Sequence, residues 1–189
     1  MTTDSTKTSQ LELLQNDIRS KMPDAWLFPT LGNVQGFMGA GEVMFVGERP
    51  SRGTVNSRPF GVLYRLLEKH AVTDAHLTDI IKVPGKVRDS YPDDIGPDRM
   101  FFDRELAIIK PRLVVAFGQR VYWVLQFALA GTGIPVRQTW HYAYLRWPGN
   151  CKEFEKQICL ALDPSSGYRT PKDAGQAKPR TYAPKSSLH

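Results

Sequence analysis

The chain alternates between short continuous apolar runs and longer segments whose apolar residues recur at every third or fourth position. Short continuous runs are typical of strands that are covered on both faces of a sheet. They predict four strands, over residues 43–46, 77–83, 113–117 and 136–140. Helical spacing predicts five helices, over residues 11–22, 61–70, 99–109, 119–129 and 152–162.

The order of these elements indicates the fold class. Strands separated by helices favour a parallel sheet with helices on both faces. We therefore expect an α/β protein, a three-layer α/β/α fold around a central, mainly parallel four-stranded sheet. In such sheets, ligands bind beyond the carboxyl ends of the strands. Four residues fall at or just after predicted strand ends and should share one crevice: Glu48, Asp79, Gly118 and His141.

Composition fits a single domain. The chain has 189 residues, of which 41% are apolar, enough for one core but too little for two. No apolar run reaches the length of a membrane span, and residues 1–10 lack the charge and apolar centre of a signal peptide. We therefore expect a cytoplasmic monomer with no membrane partner and one domain over residues 1–162.

The formal net charge of +6 favours a polyanionic partner, because each neutralised phosphate releases condensed counterions. Half of this excess lies in residues 163–189, which are rich in proline, serine and glycine. We expect this segment to be a basic, disordered C-terminal tail. The tail either holds nucleic acid loosely or is only a solvated end of the chain.

Two short stretches carry candidate chemistry. Gly47 lets the chain turn sharply after the first strand, and Glu48 and Arg49 then bring a carboxylate and a guanidinium to the strand end. The loop that follows, residues 51–53, is able to approach a phosphate closely. The second stretch, residues 140–146, contains the only histidine at a predicted strand end.

These stretches belong to an ordered series that resembles the uracil-DNA glycosylase superfamily. Residues 47–51 are similar to its first active-site motif, which reads Gly-Glu-Ala-Pro-Gly in the iron-sulfur branch. Residues 58–61 resemble the segment whose phenylalanine stacks on the extruded base, and residues 77–82 the strand that ends in the base-reading residue. Residues 110–118 resemble the Pro-x-x-(apolar)-Gly strand, and His141 takes the place of the histidine that opens the second catalytic motif.

The resemblance implies roles for five residues in breaking an N-glycosidic bond. Glu48 would position and partly deprotonate water or balance the oxocarbenium ion, and His141 would donate a hydrogen bond to the departing base. Phe60 would stack on a base that has been flipped out of the DNA. Asp79 and Arg49 are placed with Phe60 among the base-binding residues. The predicted partner is therefore DNA, and the product an abasic site.

Six further candidates would contact DNA outside the base pocket. Basic and hydroxyl side chains are suited to phosphates, and apolar or stacked side chains to the gap that a flipped nucleotide leaves. The phosphate candidates are Ser51, Arg52 and Arg58, and the gap-filling candidates are Leu145, Arg146 and Trp147.

Asp79 departs from the family pattern, which has asparagine at this position. An ionised aspartate offers only acceptors and would repel O4 of uracil. It accepts from the amino group of cytosine, and a protonated form also donates to cytosine N3, whereas guanine offers a carboxylate two adjacent donors. We therefore expect plain uracil to be a poor substrate, and a modified cytosine of viral DNA, hydroxymethylated or glucosylated, to be the target. This would be a defence function.

Other departures and structural alternatives remain open. Arg49 replaces a residue that several branches use to hold the water, and Tyr142 and Ala143 replace the Pro-Ser that usually follows the second-motif histidine. Glu48 could cap a turn and Asp79 could make a structural hydrogen bond. Ordinary packing or exposure is the alternative for Phe60, His141, Leu145 and Trp147.

The predicted enzyme is a monofunctional DNA glycosylase without a metal or other cofactor. The iron-sulfur branch ligates its cluster with four cysteines, and this chain has two, Cys151 and Cys159. Three alternatives remain at this point: an ordinary uracil-DNA glycosylase of base excision repair, a non-catalytic DNA-binding protein that kept the fold, and a hydrolase of small nucleosides or nucleotides.

Overall fold

A computed structural model of the chain describes residues 3–50, 57–85 and 96–166. Five helices and four strands alternate along these residues: α1 Thr3–Lys21, β1 Val43–Gly47, α2 Arg58–Lys69, β2 His76–Asp79, α3 Gly96–Ile109, β3 Leu113–Phe117, α4 Gln119–Ala128, β4 Val136–Thr139 and α5 Cys151–Leu162. Short 3-10 helices cover Gly36–Met38, Tyr142–Arg146 and Pro148–Asn150.

The four strands form one parallel sheet in the order β2-β1-β3-β4. Helices cover both faces, which confirms the predicted three-layer α/β/α fold. Because all strands run the same way, their carboxyl ends lie along one edge. Gly47 at the end of β1 is in register with Asp79 at the end of β2, and Phe117 of β3 with Thr139 of β4.

The sheet separates two large apolar cores. Alternate side chains of β1 point to opposite faces, so Phe45 packs in one core and Met44 in the other, and both are fully buried. The first core lies against α2, the 3-10 helix Tyr142–Arg146 and α5, and the second against α3 and α4. Burial on both faces explains why the strands are continuous apolar runs rather than alternating ones.

Four element boundaries differ from the sequence prediction by three or more residues; α1 begins at residue 3 instead of 11, and α3 at residue 96 instead of 99. Strand β2 ends at Asp79 instead of 83, and beyond it the Lys82 backbone N–H donates to Asp98 Oδ1 at 2.9 Å. Helix α2 begins at Arg58 instead of 61. Pro59 lies in its first turn, where the missing N–H has no intrahelical partner to lose.

Within the described residues, no helix has the length and apolar character that crossing a bilayer requires. The predicted tail begins at residue 163, and residues 167–189 lie outside the described part of the chain. The division into a domain and a tail therefore stays a prediction.

Candidate active site

The ends of β1 and β2 are joined by a continuous set of backbone hydrogen bonds. The Ile80 N–H donates to Gly47 O at 3.0 Å, and the Ile81 N–H donates to Glu48 O at 2.9 Å. Gly47 also lies directly under the Asp79 side chain, since a Cβ at position 47 would be 2.0 Å from Asp79 Oδ1. The backbone therefore fixes Glu48 and Asp79 relative to each other.

Glu48 is 8% exposed, and its Oε1 atom is buried without a hydrogen-bond partner among the described residues. Arg120, in the first turn of α4, has its Nε 3.6 Å from Oε1. Burial raises the pKa of Glu48, while Arg120 and Arg49 oppose the rise. A desolvated carboxyl with unused acceptor capacity is suited to holding and partly deprotonating a water molecule.

Asp79 is 3% exposed, and both carboxyl oxygens are buried without a hydrogen-bond partner among the described residues. Burial raises the pKa of Asp79 to about 7; Lys82 opposes the rise, and Glu105 and Glu48 add to it. Buried polar atoms in native proteins are nearly always paired, so two unpaired oxygens in one carboxyl point to a missing partner. The structural alternative, in which Asp79 bonds to protein groups, has no support among the described residues.

A buried ion pair lies beneath Asp79. The Lys82 ammonium is 2.7 Å from Glu105 Oε1, and it donates to Thr78 Oγ1 at 2.8 Å and to Asp79 O at 2.5 Å. Lys82 and Glu105 are both fully buried, and His76 Nε2 lies 3.5 Å from Glu105 Oε2. The sequence analysis missed this group, although a carboxylate on the buried face of α3 was a signal that could have found it.

Arg49 was predicted to bind the base, and the structure places it half-buried beside Glu48. Its guanidinium lies against Gly85, where a Cβ would come within 2.4 Å of Nη1. Its charge acts on both Glu48 and Asp98. Burial raises the pKa of Asp98, while the Lys82 backbone hydrogen bond, the Lys82 charge and the Arg49 charge oppose the rise. Arg49 thus brings positive charge next to the candidate catalytic carboxyl.

His141 lies just beyond the end of β4, half-buried at the start of the 3-10 helix Tyr142–Arg146. Its Nδ1 accepts a hydrogen bond from the Ala143 N–H at 3.1 Å, so the neutral ring carries its proton on Nε2. Burial lowers the pKa of His141 to about 4. At neutral pH the residue is therefore an uncharged donor. Tyr142 stacks on the ring at 4.6 Å between centroids and fixes its orientation.

The comparison with protein families agrees with this arrangement. The model of the uracil DNA glycosylase superfamily matches residues 38–168, which is more than half of the chain. The chain belongs to the uracil DNA glycosylase superfamily. A search of curated proteins found no match. Membership supports a function of the DNA glycosylase type, with DNA as the substrate and hydrolysis as the reaction.

Two candidates of this uracil DNA glycosylase fold are buried in the apolar core. Phe60 is 3% exposed, and its ring is stacked with Tyr64 at 4.4 Å and Phe28 at 5.9 Å. Leu145 is fully buried in the same core. This burial supports the packing alternative for both residues, and their predicted contacts with the base and the DNA duplex stay predictions.

Of the other five DNA-contact candidates, three lie in the described part of the chain. Arg146 and Trp147 are exposed, with Arg146 Cζ 4.6 Å from the Trp147 ring centroid, and Tyr144 beside them is also exposed. This surface follows His141 directly in the chain. Arg58 is exposed in the first turn of α2, while Ser51 and Arg52 lie outside the described residues.

The iron-sulfur cluster found in one branch of the superfamily does not fit this chain. Cys151 and Cys159 are its two cysteines, and both lie on α5. Cys159 is exposed, with Sγ 3.7 Å from His70 Nε2. The ligands of a four-cysteine cluster are not present.

Proposed function

We propose that this protein is a monofunctional DNA glycosylase that flips a nucleotide out of DNA and hydrolyses the bond between base and deoxyribose. Water held by Glu48 attacks C1′ of the sugar, and the glycosidic electrons leave with the base. Glu48 stabilises the positive charge on the sugar and takes a proton from the water. The neutral His141 Nε2–H donates to the base as negative charge develops on it. The product is an abasic site in the DNA.

Among the described residues, no free lysine is found at the site, and this supports a hydrolytic rather than a lyase reaction. A lyase needs an unprotonated amine that attacks C1′. Among the described residues, Lys82 is the lysine whose charge acts on Asp79, and it is fully buried, forms an ion pair with Glu105 and donates to Thr78 and the Asp79 carbonyl. Water is therefore the proposed nucleophile.

The observation that carries the substrate proposal is the buried, unpartnered carboxyl of Asp79. A base with an exocyclic amino group supplies the missing donor, and a protonated Asp79 donates in turn to the ring nitrogen beside it. This pattern is the edge of cytosine. Because excision of ordinary cytosine would destroy the host genome, we propose a modified cytosine of viral DNA, hydroxymethylated or glucosylated, and a role in antiphage defence.

Ordinary uracil excision is the second candidate, and one observation favours it. The pKa of Asp79 is raised to about 7, so a large share of the carboxyl is protonated at neutral pH. A protonated carboxyl accepts from uracil N3–H and donates to O4, as an asparagine would. The choice between the two bases therefore needs a direct measurement.

The experiment is abasic-site formation, read by alkaline strand cleavage, on DNAs that carry uracil, cytosine, hydroxymethylcytosine or glucosylated hydroxymethylcytosine. We expect cleavage at the modified cytosines and a loss of about 10²- to 10⁴-fold in Glu48→Gln. Glu42→Gln is the matched control, because Glu42 is exposed at the opposite end of β1, where it pairs with Arg112. Cleavage of uracil alone would select base excision repair. No cleavage by the parent, with DNA binding retained, would select the non-catalytic DNA-binding protein.

A further inference from the structure

The cation nearest to the base-reading carboxyl is not available to it. The Lys82 ammonium has three hydrogens and three close oxygens: Glu105 Oε1, Thr78 Oγ1 and the backbone carbonyl of Asp79 itself. The ammonium thus donates to Thr78 and to the Asp79 carbonyl and forms its ion pair with Glu105, and the Asp79 side chain makes no salt bridge among the described residues. A lysine three residues away along the chain would otherwise be a natural partner for this carboxylate.

Glu105 is what holds the ammonium in this position. Its carboxylate, on α3, is fully buried 2.7 Å from Lys82 Nζ, and Phe102 of the same helix has its ring centroid 5.9 Å from Nζ. Burial opposes the charge on Glu105, but Lys82 and His76 outweigh it and hold the pKa of Glu105 below its usual range. The pair is thus neutral overall, and the negative charge of Glu105 offsets part of the Lys82 charge that acts on Asp79.

We propose that Glu105 is a specificity-determining residue that acts through Lys82 on Asp79. It holds the ammonium away from the reader carboxyl, so that this carboxyl keeps a proton and presents one donor and one acceptor to the flipped base. The proposal rests on the proposed function, in which Asp79 reads the base. Glu105 itself touches neither base nor sugar in this account and is a positioning residue.

The proton on Asp79 decides which base edges fit the pocket. A protonated carboxyl matches a pyrimidine edge with one donor beside one acceptor, and an ionised carboxyl matches an edge with two adjacent donors, as in guanine. The charged groups that act on Asp79 are Lys82, Glu105 and Glu48. Two further titratable groups contact this network: His76 lies next to the Glu105 carboxylate, and Asp98 accepts a hydrogen bond from the Lys82 backbone N–H.

The sign of the Glu105 effect follows from these charges. Glu105 adds to the rise in the pKa of Asp79, and Lys82 opposes it. Replacing Glu105 by the isosteric, neutral glutamine removes the negative charge and leaves the ammonium without its counterion. The ammonium then favours the ionised form of Asp79, and we expect the pKa of Asp79 to fall by about one unit.

The direct test is a titration of the Asp79 carboxyl carbon by NMR in the full chain, which does not depend on activity. The resonance is assigned by its loss in Asp79→Asn. Glu105→Gln should move the titration midpoint down by about one pH unit relative to the parent. The control Glu42→Gln should leave it unchanged. A midpoint that stays in place or rises in Glu105→Gln would overturn the proposal.

A second variant guards against a Glu105→Gln chain that does not fold. Replacing a buried ion pair as a unit by apolar residues is often neutral or stabilising, so Lys82→Met combined with Glu105→Leu is expected to keep the fold. This variant removes both charges, and because Lys82 acts more strongly on Asp79 than Glu105 does, the midpoint should rise. A fall in this double variant would contradict the proposed direction of the Lys82 effect.

Kinetics separate a failure of this inference from a failure of the proposed function. On a pyrimidine substrate, kcat/KM of the parent should fall as pH rises through about 7, and the fall should begin about one pH unit lower in Glu105→Gln. Both the fall of kcat/KM with rising pH and its displacement in Glu105→Gln should vanish in an Asp79→Asn background. An inactive parent would overturn the proposed function alone, because the NMR midpoints still test Glu105. An active parent with an unshifted profile in Glu105→Gln would overturn the role of Glu105 alone.

Discussion

At the scale of single residues, the site depends on two buried carboxyls and a half-buried imidazole whose pKa values are shifted by burial. Burial raises the pKa of both Glu48 and Asp79, and lowers that of His141 to about 4. A catalytic apparatus that separates charge needs such groups, because each is costly to ionise until the reaction develops a complementary charge. In the proposed mechanism, these three side chains act as base, reader and donor.

Gly47 should be indispensable for the geometry of this site. A Cβ at position 47 would meet Asp79 Oδ1 at 2.0 Å, so Gly47→Ala must displace the reader carboxyl. We expect kcat/KM for abasic-site formation to fall about 10²-fold, since small displacements at a reacting centre are costly. Gly149→Ala is the control, because a Cβ there has nothing within 4 Å. Equal activity of the two variants would show that Asp79 does not need its present position.

His141 should make the stability of the protein depend on pH. Its pKa in the folded state, about 4, lies below the usual value of 6.5, so the unfolded chain binds a proton that the folded chain does not. The stability that neutral His141 contributes is present above pH 6.5 and is lost as pH falls toward 4. In urea unfolding, the parent should therefore lose more stability than His141→Gln between pH 7 and pH 5. Equal losses of stability in the two proteins would show that folding does not lower the pKa of His141.

At the scale of elements, the sequence predicted nearly all helices and strands because the pattern of burial is simple. Strands buried on both faces, such as Leu113–Phe117, read as continuous apolar runs, and the helices between them follow from spacing. Strand ends were harder to predict. Beyond the end of β2, the Lys82 backbone N–H donates to Asp98, 16 residues farther along the chain, and no local pattern contains this contact.

The candidate site was predicted in part for the same reason. Glu48, Asp79 and His141 follow strands directly, so topology alone brought them to one edge of the sheet. Arg120 follows β3 in the same way and was a residue that this rule could have found. Lys82 was different, because its pairing with Glu105 depends on how α3 packs against the sheet, and only the structure shows that.

The 3-10 helix Tyr142–Arg146 divides sharply between a buried anchor and an exposed surface. Leu145 is fully buried, so Leu145→Ala should cost about 2–5 kcal/mol in the free energy of unfolding. Trp147 is 51% exposed, so Trp147→Ala should leave stability within about 0.5 kcal/mol and weaken DNA binding instead. Denaturant unfolding and fluorescence anisotropy with labelled DNA measure the two effects. A large stability loss in Trp147→Ala with unchanged DNA affinity would make this surface structural.

At the scale of the whole molecule, the positive net charge and the exposed arginines predict binding to DNA that weakens with salt. Arg146 lies beside the site, at the carboxyl end of the sheet, whereas Arg112 lies at the opposite end next to Glu42. If Arg146 neutralises a phosphate, Arg146→Ala should reduce the slope of log Kd against log salt concentration by about one. Arg112→Ala should leave the slope unchanged. Identical slopes for both variants would remove this face from the DNA interface.

The measurement that tests the central claim most directly is alkaline strand cleavage of DNA with glucosylated hydroxymethylcytosine at one position and uracil at another. The parent and Asp79→Leu are compared at neutral pH. We expect the parent to cleave at the modified cytosine, and Asp79→Leu to lose that cleavage, because an apolar side chain leaves the amino group and the ring nitrogen of the flipped base unpaired. Parent cleavage at uracil alone, unaffected by Asp79→Leu, would contradict the assignment of Asp79 as the reader of the base.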